Sequence, residues 1–238
     1  MKITSFATFQ LQAPLEIPFG WSQDTITSRS VGLVKITTDE GIIGWGEGCG
    51  GPAAAVVNEI FAPLLKGDDP TNRLAIWQKM FHSIYNANLA VGFGGSAISA
   101  VDTALWDIAG KALGVPVCDL LGGRIRDSVP VYATGLYYTE GEFPSRLLDE
   151  ARGYVESGFM GMKTKIGGLS IDEDVKRVKA IRDAIGPDIK LMVDANQAQS
   201  FGRWQPGVIW DYKRDLQTAQ ILEDMGVYWL EDQLHRYA

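Results

Sequence analysis

The chain has 238 residues, of which 46% are hydrophobic and 21% are charged, a composition typical of a globular protein with one or two cores. Its formal net charge is −7 and its basic residues do not cluster, which argues against nucleic acid or an anionic membrane as the main partner. The N-terminus lacks the apolar run of a signal peptide, and no run of about 18 apolar residues occurs. The two cysteines, Cys49 and Cys118, form no C-x-x-C pair, so we expect a cytoplasmic protein without a zinc site or a disulfide framework.

The first 47 residues have the pattern of a small antiparallel sheet. Apolar and polar residues alternate over residues 1–12, which predicts a strand, and residues 31–37 and 42–47 predict two more strands joined by a turn. Residues 13–30 contain two prolines and many Ser and Thr residues, and we predict a long loop that carries Phe19 and Trp21. A loop of this kind is either disordered or a lid over a site.

A glycine-rich stretch follows the third predicted strand. Residues 46–51 spell G-x-G-x-x-G, the fingerprint of a dinucleotide-binding loop. The strand before it is the return arm of a hairpin, and more helix follows it instead of a second parallel strand. A glycine turn that lets the chain leave the sheet is therefore the favoured interpretation.

Residues 52–114 are predicted to be helical, and beyond them the pattern changes to alternating strands and helices. Helices are predicted over residues 53–65, about 71–85 and 96–113, with a loop at 92–96 and a boundary near residues 120–123. Beyond this boundary, strands at 129–134, 161–166, 189–194 and 227–230 alternate with helices at 143–157, 170–185 and about 211–225. Residues 197–210 form a polar, aromatic insertion. Repeated β-α units predict a parallel sheet, with a (β/α) barrel as the leading candidate.

Two lysines share one face of the predicted strand at 161–166. Lys163 and Lys165 are two residues apart, so their side chains point the same way. Each ammonium group lowers the pKa of the other, burial lowers it further, and a lysine tuned towards neutrality can act as a general base. The same spacing also occurs in pairs of solvated surface lysines.

Carboxylates end the next two predicted strands. Asp194 and Glu231 occupy these ends, and Asn196 follows Asp194 closely. Oxygen ligands of this kind suit a hard cation, above all Mg²⁺, although acids at strand ends also serve as helix caps or solvated charges. Combined with the lysine pair, they provide a base and a Lewis acid, which fits removal of a proton next to a carboxylate.

Five segments together resemble the mandelate racemase/muconate lactonizing enzyme family of the enolase superfamily. These segments are residues 94–107, 120–123, 163–165, 193–196 and 229–232. The resemblance implies an α/β fold, with an α+β N-terminal capping domain over residues 1–122 and the first half of a modified TIM-type (β/α) barrel over residues 123–238.

The resemblance also implies roles for the candidate residues. Lys165 would be the base that removes the α-proton, and Lys163 would tune it. Asp194 and Glu231 would be Mg²⁺ ligands, and Asn196 would support the metal or its bound water.

The reaction implied by the resemblance is Mg²⁺-dependent removal of the α-proton of a carboxylate substrate through an enediolate. We expect an acid-sugar dehydratase, a hydro-lyase, with a racemase, an epimerase or a cycloisomerase as the alternatives. The loop carrying Phe19 and Trp21 would close over this small-molecule substrate, and a homo-oligomer is expected.

Three departures from the family pattern stand out. The family's Glu-Glu-Pro is replaced by residues 231–233, Glu-Asp-Gln, and the stretch between Asp194 and Glu231 is longer than usual and contains Trp204 and Trp210. No residue matches the third metal ligand or a second acid/base group. We therefore expect the 238 residues to be a piece of a longer polypeptide, or else a catalytically incomplete remnant that pairs its open sheet edges with another copy.

Overall fold

The computed structural model describes residues 1–85, 87, 89–141, 143–199 and 207–236. The chain divides into two compact units. The first comprises residues 1–14 and 28–127, and the second comprises residues 15–27 and 128–238. In the described part of the chain, no helix combines the length and the apolar character that crossing a membrane requires.

A three-stranded sheet runs through the N-terminal part of the chain. Its strands are β1 (Ile3–Gly20), β2 (Thr25–Thr38) and β3 (Ile43–Glu47), in the order β1-β2-β3. Strands β2 and β3 are antiparallel, with Leu33 opposite Glu47, and the predicted turn between them is present. This part of the sequence prediction is confirmed.

The predicted loop at residues 13–30 is wrong for most of its length. Strand β1 continues to Gly20 and β2 begins at Thr25, so only residues 21–24 connect them. Pro14 and Pro18 are compatible with β1 because β1 is an edge strand, where a missing backbone N–H need not interrupt the hydrogen bonds to the neighbouring strand. The Thr residues at the start of β2 favour a strand because β-branched side chains suit the pleated backbone. Phe19 therefore lies in a strand, and Trp21 lies in a short turn.

Helices form the rest of the first unit. They are α1 (Pro52–Val56), a π-helical turn (Val57–Phe61), α2 (Ala62–Leu65), α3 (Arg73–Tyr85), α4 (Phe93–Leu113) and α5 (Val117–Leu120). Helix α4 begins within the loop predicted at residues 92–96, and Gly94 is its second residue. A side chain at Gly94 would meet the Leu89 carbonyl oxygen at 1.6 Å, so this glycine permits a close approach of backbone and does not break the helix.

Helix α4 packs directly onto β3, and this contact explains part of the glycine-rich stretch. A Cβ atom at Gly44 would lie 2.1 Å from the Ala104 carbonyl oxygen, and one at Gly46 would lie 1.9 Å from the Ala100 carbonyl oxygen. Ala100 and Ala104 are themselves fully buried. Glycines at these strand positions thus let a helix backbone touch a strand backbone, and this packing explains them without a nucleotide.

We predict that Gly46→Ala destabilises the protein by roughly 1–3 kcal/mol or more, because the new methyl group would overlap the α4 backbone. Urea unfolding followed by circular dichroism would measure the change. Gly50→Ala is the matched control, since a Cβ atom there meets nothing within 4 Å. Equal stability of the two variants would contradict this packing argument.

The second unit contains a four-stranded parallel sheet with helices between its strands. Its elements are β4 (Ala133–Thr134), α6 (Ser145–Glu156), β5 (Gly161–Lys165), α7 (Ile171–Ile185), β6 (Lys190–Asp194), a 3-10 turn (Gln197–Gln199), α8 (Tyr212–Asp224) and β7 (Val227–Glu231). The strand order is β4-β5-β6-β7, and each neighbouring pair is parallel. The predicted alternation of β and α elements is confirmed.

Local signals account for the starts of two helices in this unit, α7 and α8. Ser170 and Glu173 form a capping box at α7, and the Asp211 carboxylate accepts a 2.8 Å hydrogen bond from the Arg214 amide at α8. Strand β4 is shorter than the strand predicted at 129–134. The insertion at 197–210 begins with the 3-10 turn, and Trp210 is buried in the core of this unit. Residues 200–206, which include Trp204, lie outside the described residues.

Candidate active site

The parallel register places three candidate residues in one row at the C-terminal edge of the sheet. Lys165 of β5 pairs with Asp194 of β6, and Asp194 pairs with Glu231 of β7. Paired residues in neighbouring strands point to the same face, so one amine and two carboxylates converge on a common region. Lys163, two residues before Lys165, shares its face.

Asp194 lies at the centre of an ion-pair network. The Lys165 Nζ atom donates a 2.7 Å hydrogen bond to Asp194 Oδ2, and Lys163 Nζ lies 3.4 Å from the same oxygen. Lys163 Nζ also donates a 2.9 Å hydrogen bond to Glu231 Oε2. Lys163, Lys165 and Asp194 are only 8%, 6% and 3% exposed, so these charges neutralise one another away from solvent.

The environment of Lys163 differs from the sequence expectation. Burial alone lowers its pKa, but the hydrogen bond that Lys163 donates to Glu231 and the negative charges of Asp194 and Glu231 outweigh burial, and the pKa is raised. The expected lowering of the pKa is therefore wrong for Lys163, because the two carboxylates were not counted against the neighbouring ammonium group. Lys163 is a permanent cation at neutral pH.

Asn196 donates two hydrogen bonds to Asp194, and its side-chain oxygen is a buried acceptor. Its backbone N–H donates to Asp194 Oδ1 at 2.9 Å, and its side-chain Nδ2 donates to Asp194 Oδ2 at 3.2 Å. The backbone has φ 50°, and the residue is 5% exposed. Asn196 Oδ1 is buried without a hydrogen-bond partner in the described structure. A buried, unpaired acceptor beside a carboxylate is where a cation or a bound water would be favoured.

A third carboxylate belongs to this edge of the sheet. Burial raises the pKa of Asp232, the charges of Asp194 and Glu231 raise it further, and the two lysines oppose this effect. Within the described residues, however, no three His, Cys, Asp or Glu side chains are grouped closely enough to hold a metal ion. The candidate oxygen ligands from this chain are thus the carboxylates of Asp194 and Glu231 and the amide oxygen of Asn196.

Aromatic rings line the lysine pair. The Lys165 ammonium group lies 5.4 Å from the centre of the Tyr137 ring, and Lys163 lies 6.0 Å from that of Tyr132. Phe19 packs on Tyr137 with ring centres 4.5 Å apart, which connects the hairpin between β1 and β2 to the surroundings of Lys165. Trp21 lines a cavity of about 780 Å³ beside Gly168, in the same unit.

Sequence reasoning missed the aromatic and acidic neighbours of the lysine pair. Tyr137 follows β4 by three residues, and Asp232 follows β7 directly. Their positions just beyond strand ends are the signal that could have indicated them, since side chains at the C-terminal ends of parallel strands meet at one edge.

The fold and this edge define a class of protein: an α+β unit joined to parallel β-α units that carry lysines and acids at their strand ends. The chain matches the family profile "Mandelate racemase / muconate lactonizing enzyme, N-terminal domain" over residues 3–122. It matches the profile "Enolase C-terminal domain-like" over residues 146–237. The chain therefore belongs to the mandelate racemase/muconate lactonizing enzyme family of the enolase superfamily.

Individual relatives agree with this assignment. The chain is 39% identical over 205 residues to an arabinonate dehydratase from Saccharolobus solfataricus, covering 83% of the chain and 51% of that protein. It is 39% identical over 201 residues to a D-galactarolactone cycloisomerase from Agrobacterium fabrum, covering 82% and 52%. The structure resembles that of the 3,6-anhydro-D-galactonate cycloisomerase from Zobellia galactanivorans, with a TM-score of 0.80, 35% identity, and coverage of 98% of this chain and 59% of that one. The chain spans about half the length of the curated relatives named here.

We predict that Asp194→Ala destabilises the protein by ~3–5 kcal/mol, because it removes the carboxylate that pairs with the buried Lys165 ammonium group at 2.7 Å and leaves Lys163 with Glu231 alone. Glu231→Ala should cost about 1 kcal/mol or less, since the Glu231 side chain is 40% exposed and Lys163 keeps Asp194 as a partner. Urea unfolding at neutral pH and low salt would compare them. Equal losses would show that Asp194 is not the central charge of the network.

Proposed function

We propose that this protein contributes to Mg²⁺-dependent removal of the α-proton of a small carboxylate substrate, with dehydration of an acid sugar as the overall reaction. The observation that carries the proposal is the convergence of Lys165, Asp194 and Glu231 at one edge of the parallel sheet. The names of the relatives support the substrate class, since both act on acid sugars or their lactones.

The residues at this edge fit the metal. Asp194 and Glu231 would hold Mg²⁺ with their carboxylates, and the unpaired Oδ1 atom of Asn196 would bind the ion or a water molecule on it. Bound Mg²⁺ would stabilise the negative charge that develops on the substrate carboxylate as the α-proton leaves.

Lys165 would accept the α-proton at Nζ. Its Nζ atom donates a 2.7 Å hydrogen bond to Asp194 Oδ2, so this bond would have to break before Nζ could reach the substrate α-carbon. Lys163 would remain protonated, because its pKa is raised. Its positive charge would bind the substrate carboxylate.

The surroundings of the lysines would support this chemistry by limiting water. Lys163 and Lys165 are largely buried, and Tyr132 and Tyr137 lie over them. Exclusion of water strengthens each electrostatic interaction in the site. Phe19, which packs on Tyr137, would form part of the cover over the substrate, and Trp21 would close it at the hairpin tip.

Cycloisomerisation is the second candidate reaction. It is favoured by the 39% identity to the galactarolactone cycloisomerase, which equals the identity to the arabinonate dehydratase. The two reactions share the proton abstraction and differ in the outcome. Dehydration expels the β-hydroxyl group as water, whereas cycloisomerisation keeps every atom, so the mass of the product distinguishes them. Inversion of the α-carbon without a change in mass would instead indicate a racemase or an epimerase.

We predict that Lys165→Ala lowers the rate of α-proton exchange with D₂O by about 10²–10⁴-fold, because proton transfer by a positioned base contributes that much. Proton NMR of an acid sugar such as arabinonate, with Mg²⁺ present, would measure the exchange. Lys179→Ala is the control, since Lys179 is an exposed lysine paired with Asp183 on α7. Unchanged exchange in Lys165→Ala would mean that the base is another group.

The unmodified chain itself decides between an enzyme and an incomplete remnant. Exchange or turnover above the uncatalysed rate supports the proposed function. A folded chain that binds Mg²⁺ but exchanges no α-proton with any acid sugar tested would overturn the proposal for these 238 residues.

We predict that Asp194→Asn and Glu231→Gln each weaken Mg²⁺ binding by at least about tenfold, since each removes one charged oxygen ligand. Isothermal titration calorimetry would measure the dissociation constants. Asp183→Asn is the control, because Asp183 is an exposed acid on α7 that pairs with Lys179. Binding that is unaffected in both site variants would place the cation elsewhere.

A further inference from the structure

We propose that Tyr138 and Asp174 form a positioning link that couples the tip of the β1–β2 hairpin to the turn that follows Lys165. In the described part of the chain, neither residue forms a hydrogen bond or an ion pair with the candidate base. They act through the backbone of the two segments that they join, and all of the residues involved lie within the second unit. The link itself stands on its contacts, while its importance for Lys165 rests on the proposed function.

The first half of the link is a backbone bridge to the hairpin tip. The Gly20 amide donates a 2.8 Å hydrogen bond to the Tyr138 carbonyl oxygen, and the Tyr138 amide donates a 3.0 Å hydrogen bond to the Gly20 carbonyl oxygen. Gly20 ends β1 between Phe19 and Trp21. The position of Tyr138 therefore determines where both aromatic residues of the hairpin tip lie.

The second half of the link holds the turn after the lysine strand. The Tyr138 hydroxyl donates a 2.5 Å hydrogen bond to Asp174 Oδ1 and accepts a 3.2 Å hydrogen bond from the Gly168 amide. The Gly167 amide donates a 2.8 Å hydrogen bond to Asp174 Oδ2. Gly167 is two residues beyond Lys165 and has φ 95°, so the turn depends on these acceptors to hold its amides.

Burial and charge keep the link intact. Asp174 is 2% exposed, and the Arg214 Nη2 atom lies 3.8 Å from its Oδ2 atom. The Arg177 guanidinium group lies 4.6 Å from the centre of the Tyr138 ring. Burial and the neighbouring Asp174 carboxylate raise the pKa of Tyr138 far above its usual range, so the hydroxyl remains a hydrogen-bond donor.

The hairpin tip has a further attachment that isolates the role of Tyr138. The Ser22 hydroxyl donates to the Ala195 carbonyl oxygen, and Gln197 Nε2 donates to Ser22 Oγ at 3.3 Å. These bonds connect the tip to the strand end that carries Asp194. Loss of the Tyr138 hydroxyl would leave them in place, together with the 3.5 Å hydrogen bond from Gln197 Nε2 to the Gly167 carbonyl oxygen, so the hairpin would stay docked while only the link through Tyr138 and Asp174 is lost.

Tyr138→Phe tests the link, because it removes the hydroxyl and keeps the ring and the backbone bridge. Tyr154→Phe is a closely matched control. The Tyr154 hydroxyl also donates to a carboxylate, Glu150 Oε1, at 2.6 Å, and that carboxylate also accepts from a backbone amide, the Leu136 N–H at 3.0 Å. Both variants lose a tyrosine–carboxylate bond in the same unit, but only one of these bonds joins the hairpin to the lysine turn.

Amide hydrogen exchange measured by NMR on the full chain provides a readout that needs no activity. In Tyr138→Phe we expect roughly tenfold faster exchange at Gly168, which loses its acceptor, and at least about threefold faster exchange at Gly20 and Gly167. In Tyr154→Phe we expect these three amides to be unchanged, while exchange at Leu136 rises. Asp174→Asn retains the size of the side chain, but it presents an N–H group in place of one acceptor oxygen to either the Tyr138 hydroxyl or the Gly167 amide. We expect it to accelerate amide exchange at Gly167 and Gly20 in the same way.

Faster exchange at Gly168 with unchanged exchange at Gly20 in both link variants would overturn the coupling. Equal effects of Tyr138→Phe and Tyr154→Phe on Gly20 would also overturn it, since general destabilisation would then explain the result. Where α-proton exchange is observed in the unmodified chain, Tyr138→Phe should lower its rate without changing the Mg²⁺ dissociation constant. Failure of the proposed function would remove only this last readout and would leave the exchange test of the link unaffected.

Discussion

The Asp194 carboxylate, held between two buried lysines, is the interaction on which the rest of the second unit depends. Lys163 and Lys165 are 8% and 6% exposed, and cations at such depth need a negative partner at close range. The parallel register supplies that partner by placing Asp194 beside Lys165 and Glu231 beside Asp194. One set of contacts therefore offsets the cost of burying the two lysine charges and brings together the groups that proton abstraction would use.

Strand ends of this unit are held by backbone contacts as well as by ion pairs. The Ile166 amide donates to the Asp194 carbonyl oxygen at 3.1 Å, and the Ala195 amide donates to the Glu231 carbonyl oxygen at 2.9 Å. Beyond the strands, the Gly167–Gly168 turn rests on Tyr138 and Asp174. The proposed chemistry at this edge would thus rely on supporting contacts that carry no reactive group, as expected where a site must hold its geometry.

Much of the architecture was predictable from local patterns. The capping box at Ser170, the turn before β3 and the alternation of strands and helices after residue 123 all depend on neighbouring residues, and each is present. The prediction of a loop at 13–30 was wrong because an edge strand tolerates prolines, and the edge position of a strand is a property of the assembled sheet. The prediction that Gly94 lies in a loop was wrong for a similar reason, since this glycine serves a close backbone contact with Leu89 that exists only in the folded chain.

By itself, the sequence determined the family, the order of the elements and the residues at the strand ends, because motifs and periodicity are written along the chain. Only the tertiary structure decided how the charges act on one another. It raised the pKa of Lys163, left Asn196 Oδ1 without a hydrogen-bond partner among the described residues and brought Tyr137 to Lys165, because burial, register and contacts between distant segments exist only once the sheet has formed.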